Sequence, residues 1–453
     1  MAAAPSSAER VAIHDWVPSA IPELHVEERE GQWLCLNPAV PGWIFTTEMG
    51  ALLLQLVDGE RSVGDIVRLL VDGGVGVSEA LVTQFFVEAE QGLLFGTGRP
   101  LRDPLDFWNE RRLTAMHLHL TDRCNLECTY CLRHSSPRIA IRHRPEQFIG
   151  MLEYIAPLTA RRFEVTFTGG EPLMYPGFTE VVEASTRLGY RNLLLSNGIA
   201  VTPARAEFIA KHFAQAQISL DGADAEEHAV NRGNNFDKVV RGIRLLAEAG
   251  ANVVVQVTMS RQNLEGSARV REVLPPTVRT RFTPAMPHGR GAEHPELFID
   301  NDQFVAFRRK LDPTNSAPAD YRPGEVVRSC HAGLSNLSIS DNGDIYPCHL
   351  MHSEEFHFGN IFHDALEDIF FGPRIHAFVG EMDVTRNNPI CSTCSVRYLC
   401  GGGCKANTLA ATGDWHDVDL WCTYQKQSIF DDLFARVRGT PSNAEAIVVE
   451  GTT

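Results

Sequence analysis

The sequence predicts an α/β protein organised around a parallel sheet, with a small module before it and a loop-rich, cysteine-rich region after it. Three observations carry that prediction. Strand-like and helix-like segments alternate from about residue 113 to residue 290. Ten of the eleven cysteines fall into two groups, three at 124–131 and seven at 330–422, leaving only Cys35 elsewhere. The stretch before residue 98 has a short strand-and-helix pattern of its own. With 453 residues, the chain is too long for one ordinary core, so two or three domains are expected.

The first domain is expected at residues 20–98. "ELHVEE" and "QWLCLN" alternate as two strands, and three helical patterns follow, "EMGALLLQLVDG", "SVGDIVRLLVDGG" and "SEALVTQFFVEAEQGLLF". That order resembles a winged helix-turn-helix. A DNA-binding role is excluded by charge: Arg29, Arg61 and Arg68 face twelve Asp and Glu in the same span, and such a surface repels phosphates. A peptide added at an exposed strand edge suits it better. The whole chain, at net charge −16, argues against nucleic acid in the same way. No apolar run reaches the ~18–20 residues that span a bilayer. The start "MAAAPSSAER" has no basic segment leading into an apolar one, so no membrane association and a cytoplasmic location are expected.

"GTGRPLRDP" reads as a linker, and the second domain is expected at 113–310. "LTAMHLHL" opens it as a strand. "RRFEVTFTGG", "RNLLLSN", "QAQISLDG" and "ANVVVQVTMS" are further strands, separated by helices such as "FTEVVEASTRLGY" and "FDKVVRGIRLLAEAG". Repeated βα units give a parallel sheet, open or curled toward a barrel, with ligands at the C-terminal strand ends. "CNLECTYC", "TGGEP", "SNG" and "SLDG" each follow a strand directly, so all should face one mouth. After 290 the pattern becomes irregular and rich in Gly and Pro. A third domain at 325–425 should lack much core of its own and depend on bound metal. The tail "TPSNAEAIVVEGTT" is expected to fray.

Clustered C-x2-C spacings in a reducing compartment point to metal ligation rather than disulfides. Cys124, Cys128 and Cys131 lie on one short loop. They could form a zinc knuckle with a fourth ligand such as His134, or hold a [4Fe–4S] cluster with one iron left open for a small molecule. C-x3-C-x-aromatic-C after the first strand of a βα series, here Cys124, Cys128, Tyr130 and Cys131, resembles the radical S-adenosylmethionine (SAM) enzymes. That resemblance implies a partial (β/α)6 barrel, a SAM-binding [4Fe–4S] cluster and reductive cleavage of SAM to a 5′-deoxyadenosyl radical. It further implies SAM contacts at Gly169, Gly170, Glu171 and Pro172 for the methionine amino group, and at Ser196 and Asn197 for the ribose. Ser219, Asp221 and Arg232 would reach the ribose and carboxylate, and "MPHGRG" would close over the adenine.

The seven later cysteines do not divide into the C-x2-C halves of a zinc ribbon. Their order resembles the SPASM extension of radical SAM enzymes, which implies two auxiliary iron–sulfur clusters. One would take Cys391, Cys394, Cys400 and Cys422. The other would take Cys330, Cys348 and Cys404, one ligand short, because "RPGEVVRSC" supplies no further cysteine. Cys35 reads as a small buried hydrophobe in a strand. The N-terminal module resembles the PqqD-like recognition element that binds leader peptides of ribosomally made natural products (RiPPs). Together the three parts imply a peptide maturase acting on a leader-bearing precursor peptide, with oxidative crosslinking, C–C or thioether, as the expected outcome. An external one-electron donor of flavodoxin or ferredoxin type is implied as a second partner. The alternative is a sulfatase-maturing type of enzyme forming formylglycine. Such enzymes place an aspartate after the second auxiliary cysteine, where this chain has His349, itself a candidate proton acceptor. A non-catalytic iron–sulfur electron carrier, or a zinc-stabilised peptide-binding protein, would instead release no 5′-deoxyadenosine.

Overall fold

The computed structural model describes residues 13–96, 101–310, 319 and 321–437. Residues 97–100 of the linker "GTGRPLRDP" and the whole C-terminal tail expected to fray lie outside these residues.

The N-terminal module is a three-stranded antiparallel sheet, β1 (His25–Arg29), β2 (Gln32–Asn37) and β3 (Gly42–Thr46), followed by helices Glu48–Gln55, Val63–Asp72 and Glu79–Gln91. The third strand was not expected. It is short, and Pro41-Gly42 masks its start in the sequence. Gly42 is required there because a Cβ would lie 2.1 Å from the Leu93 carbonyl oxygen. The strand alternation lets β2 serve two cores. Cys35 faces the module's own helices, packing with Leu53, Ile66 and Phe86. Leu34 and Leu36 face the other way, onto Val396, Leu399, Ile429, Phe430, Leu433 and Phe434. Cys35 is therefore the buried hydrophobe its strand position suggested, with burial pushing its thiol up to about 12.

The centre is a nine-stranded sheet in the order β12-β11-β10-β4-β5-β6-β7-β8-β9. Six parallel strands form its barrel part: β4 (Leu113–Thr121), β5 (Thr159–Gly169), β6 (Arg191–Ser196), β7 (Gln215–Ser219), β8 (Val253–Met259) and β9 (Arg279–Pro284). β4 and β9 are not paired, so the barrel is open. Helices such as Phe178–Arg187, Pro203–His212 and Phe236–Glu248 bury one face each against the strands. In β6, β7 and much of β8 buried residues alternate with half-buried ones, among them Gln217, Ser219, Gln256 and Thr258, which line the interior of the open barrel.

The C-terminal region is better supported than its composition suggested. β10 (Asn336–Ile339) pairs parallel to β4, and β11 (Asp344–Tyr346) and β12 (Gly359–Asn360) continue antiparallel from it. Leu337, Ile339, Ile345, Phe356, Leu366 and Phe370 join the same core as the barrel. The region thus shares a core instead of relying on metal alone. Strands of two to four residues are too short to show an alternation that would reveal them.

Candidate active site

The expected strand-end mouth exists. A cavity of about 410 Å³ is lined by Cys124, Cys128, Tyr130 and Cys131 from the loop after β4, with Gly169 and Gly170 after β5. Ser196, Asn197, Ser219, Gln256, Thr258 and Pro284 close its circumference from the ends of β6 to β9. Period-two strands place these residues at corresponding positions, since parallel pairing brings every C-terminal end to one side.

The two glycines are fixed by close backbone approach. A Cβ on Gly169, at φ +122°, would lie 2.3 Å from the Thr121 carbonyl oxygen, and one on Gly170 would lie 2.4 Å from that of Arg123. Gly170 N–H donates to Thr121 O at 2.7 Å and Glu171 N–H to Arg123 O at 2.9 Å, so this segment is stitched to the entry of the cysteine loop. Glu171 and Pro172 are buried and lie off the cavity wall. The Glu171 carboxylate accepts from Asn197 N–H (2.8 Å), Ser196 Oγ (2.9 Å) and Leu173 N–H (3.0 Å). It therefore shapes the β6 loop in place of reaching into the mouth. Burial raises its pKa, and those three donors oppose the rise.

Asp221 is also a pivot behind the wall. Fully buried, it accepts from Arg232 Nε (2.6 Å), Thr258 N–H (2.8 Å) and the Tyr130 hydroxyl. Arg232 and Tyr130 line the cavity themselves, with the guanidinium 5.3 Å from the ring centroid. One carboxylate thus orients both the arginine and the aromatic residue of the cysteine loop. Asn197 joins the same loop: its Nδ2 donates to Asn125 Oδ1 at 2.7 Å and lies 3.8 Å from Cys124 Sγ.

"MPHGRG" sits where it was expected to close the site, with Met286 and His288 on the wall. What the sequence did not reveal is its arginine. Arg290 donates to the Cys128 carbonyl (2.9 Å) and the Ser135 carbonyl (2.7 Å), and its N–H donates to Cys131 O (2.9 Å). It clasps the cysteine loop across about 160 residues of sequence, a contact no local pattern could announce.

A histidine wall was also missed. His119 lines the cavity, and its Nε2 lies 3.2 Å from Ser338 Oγ, which lies 2.8 Å from His352 Nε2. Arg133, held in a two-point pair by Asp122, reaches His352 Nδ1. The "HLH" alternation in β4 carried a signal, since His117 and His119 must share a face. His349 is on the wall as well, stacked on His117 at 4.2 Å between ring centroids, and its Nδ1 has no partner. Burial holds His349 well below the ordinary histidine value, with His117 and His288 adding to the effect. An imidazole placed this way takes up a proton at a cost.

All eleven cysteines are free thiols. Burial pushes Cys124 up to about 12, and such thiols ionise readily only against a metal centre. Among the described residues no three His, Cys, Asp or Glu converge to hold a single metal ion. Cys124, Cys128 and Cys131 all line the one cavity, and three thiolates are the donor set of a [4Fe–4S] cluster with one iron left open, so the residues fit the cluster. His134 is exposed on the loop surface, its N–H donating to Cys131 O. The seven later cysteines form two neighbourhoods. Cys348, pushed up to about 12 by burial, feels Cys330 and Cys404. Cys422 feels Cys391 and Cys394, and Cys400 feels Cys422 and Cys394.

Comparison with known proteins matches these two sites separately. The radical SAM superfamily matches residues 118–266, and an iron–sulfur cluster-binding domain, SPASM, matches residues 330–395. The antilisterial bacteriocin subtilosin biosynthesis protein AlbA of Bacillus subtilis is 26% identical over 328 residues, covering 69% of this chain and 71% of AlbA. The mycofactocin maturase MftC of Mycolicibacterium smegmatis is 28% identical over 311 residues, covering 63% of this chain and 76% of MftC. Streptococcus suis SuiB, solved bound to its precursor peptide SuiA, superposes with a TM-score of 0.56 at 14% identity, over 88% of this chain and 98% of SuiB. The chain carries a radical SAM barrel and a SPASM domain. Its cofactors are SAM, a [4Fe–4S] cluster and auxiliary iron–sulfur clusters.

Proposed function

We propose that this radical SAM–SPASM chain is a peptide maturase that oxidatively crosslinks a ribosomally made precursor whose leader is held by the N-terminal module. The observation that carries the reading is the convergence of three free thiols, two glycines, Asn197 and Arg232 on one strand-end cavity.

Cys124, Cys128 and Cys131 would hold the [4Fe–4S] cluster, leaving one iron without a protein ligand. When bound, cluster and SAM together supply a 5′-deoxyadenosyl radical able to take hydrogen from an unactivated C–H bond. Gly169 and Gly170 let the wall approach the methionine end closely, and Arg232, aimed by Asp221, offers its fork to the SAM carboxylate. Ser196, Asn197 and Ser219 offer polar contacts to the ribose. Leu126, Leu132, Pro284, Ala285 and Met286 line the same cavity and exclude water from the reacting centre.

The PqqD-like reading of the module rests on its strand-and-helix order and on the acidic character of residues 20–98. Leader binding there would raise the effective concentration of the core peptide at the cavity. The auxiliary clusters, on Cys330, Cys348 and Cys404 and on Cys391, Cys394, Cys400 and Cys422, would accept the second electron that a crosslink releases. A cytoplasmic location fits the free thiols, and among the described residues no helix is long and apolar enough to cross a membrane.

The test is anaerobic reconstitution followed by chromatography after dithionite and SAM, and then mass spectrometry of a candidate precursor peptide, taken from any short open reading frame found beside the gene, after co-expression. A product lighter by two hydrogens supports crosslinking. No 5′-deoxyadenosine from a fully clustered sample overturns the radical reading.

A further inference from the structure

Reductive cleavage of SAM needs one electron from outside the chain, and the surface behind the cysteine loop has the character of a docking site for its carrier. We propose that an acidic one-electron carrier protein, with a flavin or iron–sulfur centre, docks on the arginine-rich face formed by residues 132–144 and the outer side of the Cys124–Cys131 loop. The inference rests on the radical SAM reading.

Position is the first argument. A second depression, of about 500 Å³, is lined by Asn125, Leu126, Glu127 and Thr129 of the cysteine loop, by Arg138 and by Arg232. Leu126 and Arg232 also line the inner cavity. A single loop therefore separates the two hollows, and that loop carries the three thiols. A carrier seated outside would face the cluster at close range, while SAM occupies the inside.

Charge is the second. From Cys128 to Pro145 the chain has no Asp or Glu, yet it carries Arg133, Arg138, Arg142 and Arg144 with His134 and His143. Other acid-free runs of this length, 184–206, 273–292 and 384–413, carry three Arg or Lys each, so this one is the densest in arginine. Arg138, Arg142 and Arg144 are exposed. Arg142 is 54% exposed although it lies 3.4 Å from Asp341, which itself accepts from Asp122 N–H at the base of the loop. This places Arg142 near the base of the loop, while Arg138 lines the depression on the loop's outer side. Glu127 is the one carboxylate lining the depression. Val230, 40% exposed, lines the depression and supplies apolar contact there. Such a field steers an acidic partner and weakens with salt over a Debye length of about 8 Å at physiological ionic strength.

The redox step is a simple transfer. The carrier's reduced centre gives up one electron and leaves oxidised, the SAM-binding cluster is reduced by one, and no proton or heavy atom moves between the two proteins.

Two variants test this, Arg138→Glu and Arg138→Glu paired with Arg142→Gln, each checked for iron content and circular dichroism. Release of 5′-deoxyadenosine is measured with reduced flavodoxin at low and at high salt, and in parallel with dithionite. The expected result is a flavodoxin-driven rate lower by about tenfold or more at low salt, a salt dependence flatter than that of the parent, and a dithionite-driven rate within about twofold of the parent. An unchanged flavodoxin rate overturns the proposal. So does an equal loss in both arms, which would mark the arginines as structural. Loss of precursor-peptide binding with intact flavodoxin turnover would assign the face to an acidic peptide instead. If the parent itself releases no 5′-deoxyadenosine with dithionite, it is the radical SAM reading that fails, and this inference falls with it.

Discussion

The two cysteine regions solve one problem in opposite ways. The first gathers three thiols on eight residues and holds them from outside, with backbone bonds to Thr121 and Arg123, the Arg290 clasp and the Tyr130–Asp221–Arg232 contact. The second draws seven thiols from 93 residues of loops and short helices, and no single helix or strand holds more than one of them. Its two neighbourhoods also sit in different cores. Cys330, Cys348 and Cys404 pack against the barrel core, whereas Cys394 and Cys400 pack against the sheet of the N-terminal module. A ligand loop anchored by a sheet keeps its shape without its metal. A ligand set assembled from loops is expected to depend on it.

The largest expected effect separates the two regions chemically. Replacing Cys124, Cys128 and Cys131 with alanine should abolish 5′-deoxyadenosine formation while leaving the auxiliary iron bound, as measured by iron analysis and Mössbauer spectroscopy. Loss of all iron would mean the regions are not independent.

Next in size is the second region's dependence on metal. Cys391→Ala should raise hydrogen exchange in the helix Cys422–Val437 and in β2, with little change in β4 to β9. As a metal-free control, Leu433→Ala removes a fully buried side chain from the same interface and should cost about 2–5 kcal/mol by thermal unfolding. If Cys391→Ala leaves exchange unchanged, the loops hold themselves and the contrast collapses.

Gly170→Ala probes the opposite claim, that the first loop is held by close packing. The added Cβ meets backbone at 2.4 Å, which cannot yield as a side chain can, so a loss of about 1–3 kcal/mol is expected. The smallest effect lies far from both regions. Ser62 and Asp65 form a reciprocal cap on the helix Val63–Asp72, and Ser62→Ala should cost about 1 kcal/mol. Asp65 is lowered to about 2, first by the Ser62 backbone N–H. Its folded value is depressed, so the cap's contribution is complete above the unfolded value near 4 and fades as pH falls toward 2. An acid titration followed by NMR would show this.

Much of this was legible in the sequence, for reasons that also explain the misses. The βα series was readable because each strand is flanked by a helix of opposite periodicity, and the cysteine loop because its ligands are adjacent in sequence. The glycines of "GGEP", Ser196 and Asn197 before Gly198, and Ser219 of "SLDG" do reach one mouth, as strand-end position suggested. Where the Glu171 and Asp221 carboxylates point depends on the partners that folding brings to them, Ser196 and Asn197 for one and Arg232 and Tyr130 for the other, and no spacing rule contains that. β3 and β10 to β12 were too short to show a period. Arg290 and the histidine wall act across contacts that only the tertiary structure creates.

The helix Cys422–Val437 begins at a cysteine of the auxiliary group and ends with Phe430, Leu433 and Phe434 against β2 and β3, where Phe45 and Phe434 meet edge to face at 5.2 Å. Arg29 pairs with its Asp431 at 2.5 Å, and Glu23 with Arg397 at 2.9 Å. The N-terminal module is therefore not a portable cassette. An engineer transplanting residues 20–98 onto another barrel would expose Leu34, Leu36 and Trp43, and would have to carry this helix and the 394–400 turn along with them.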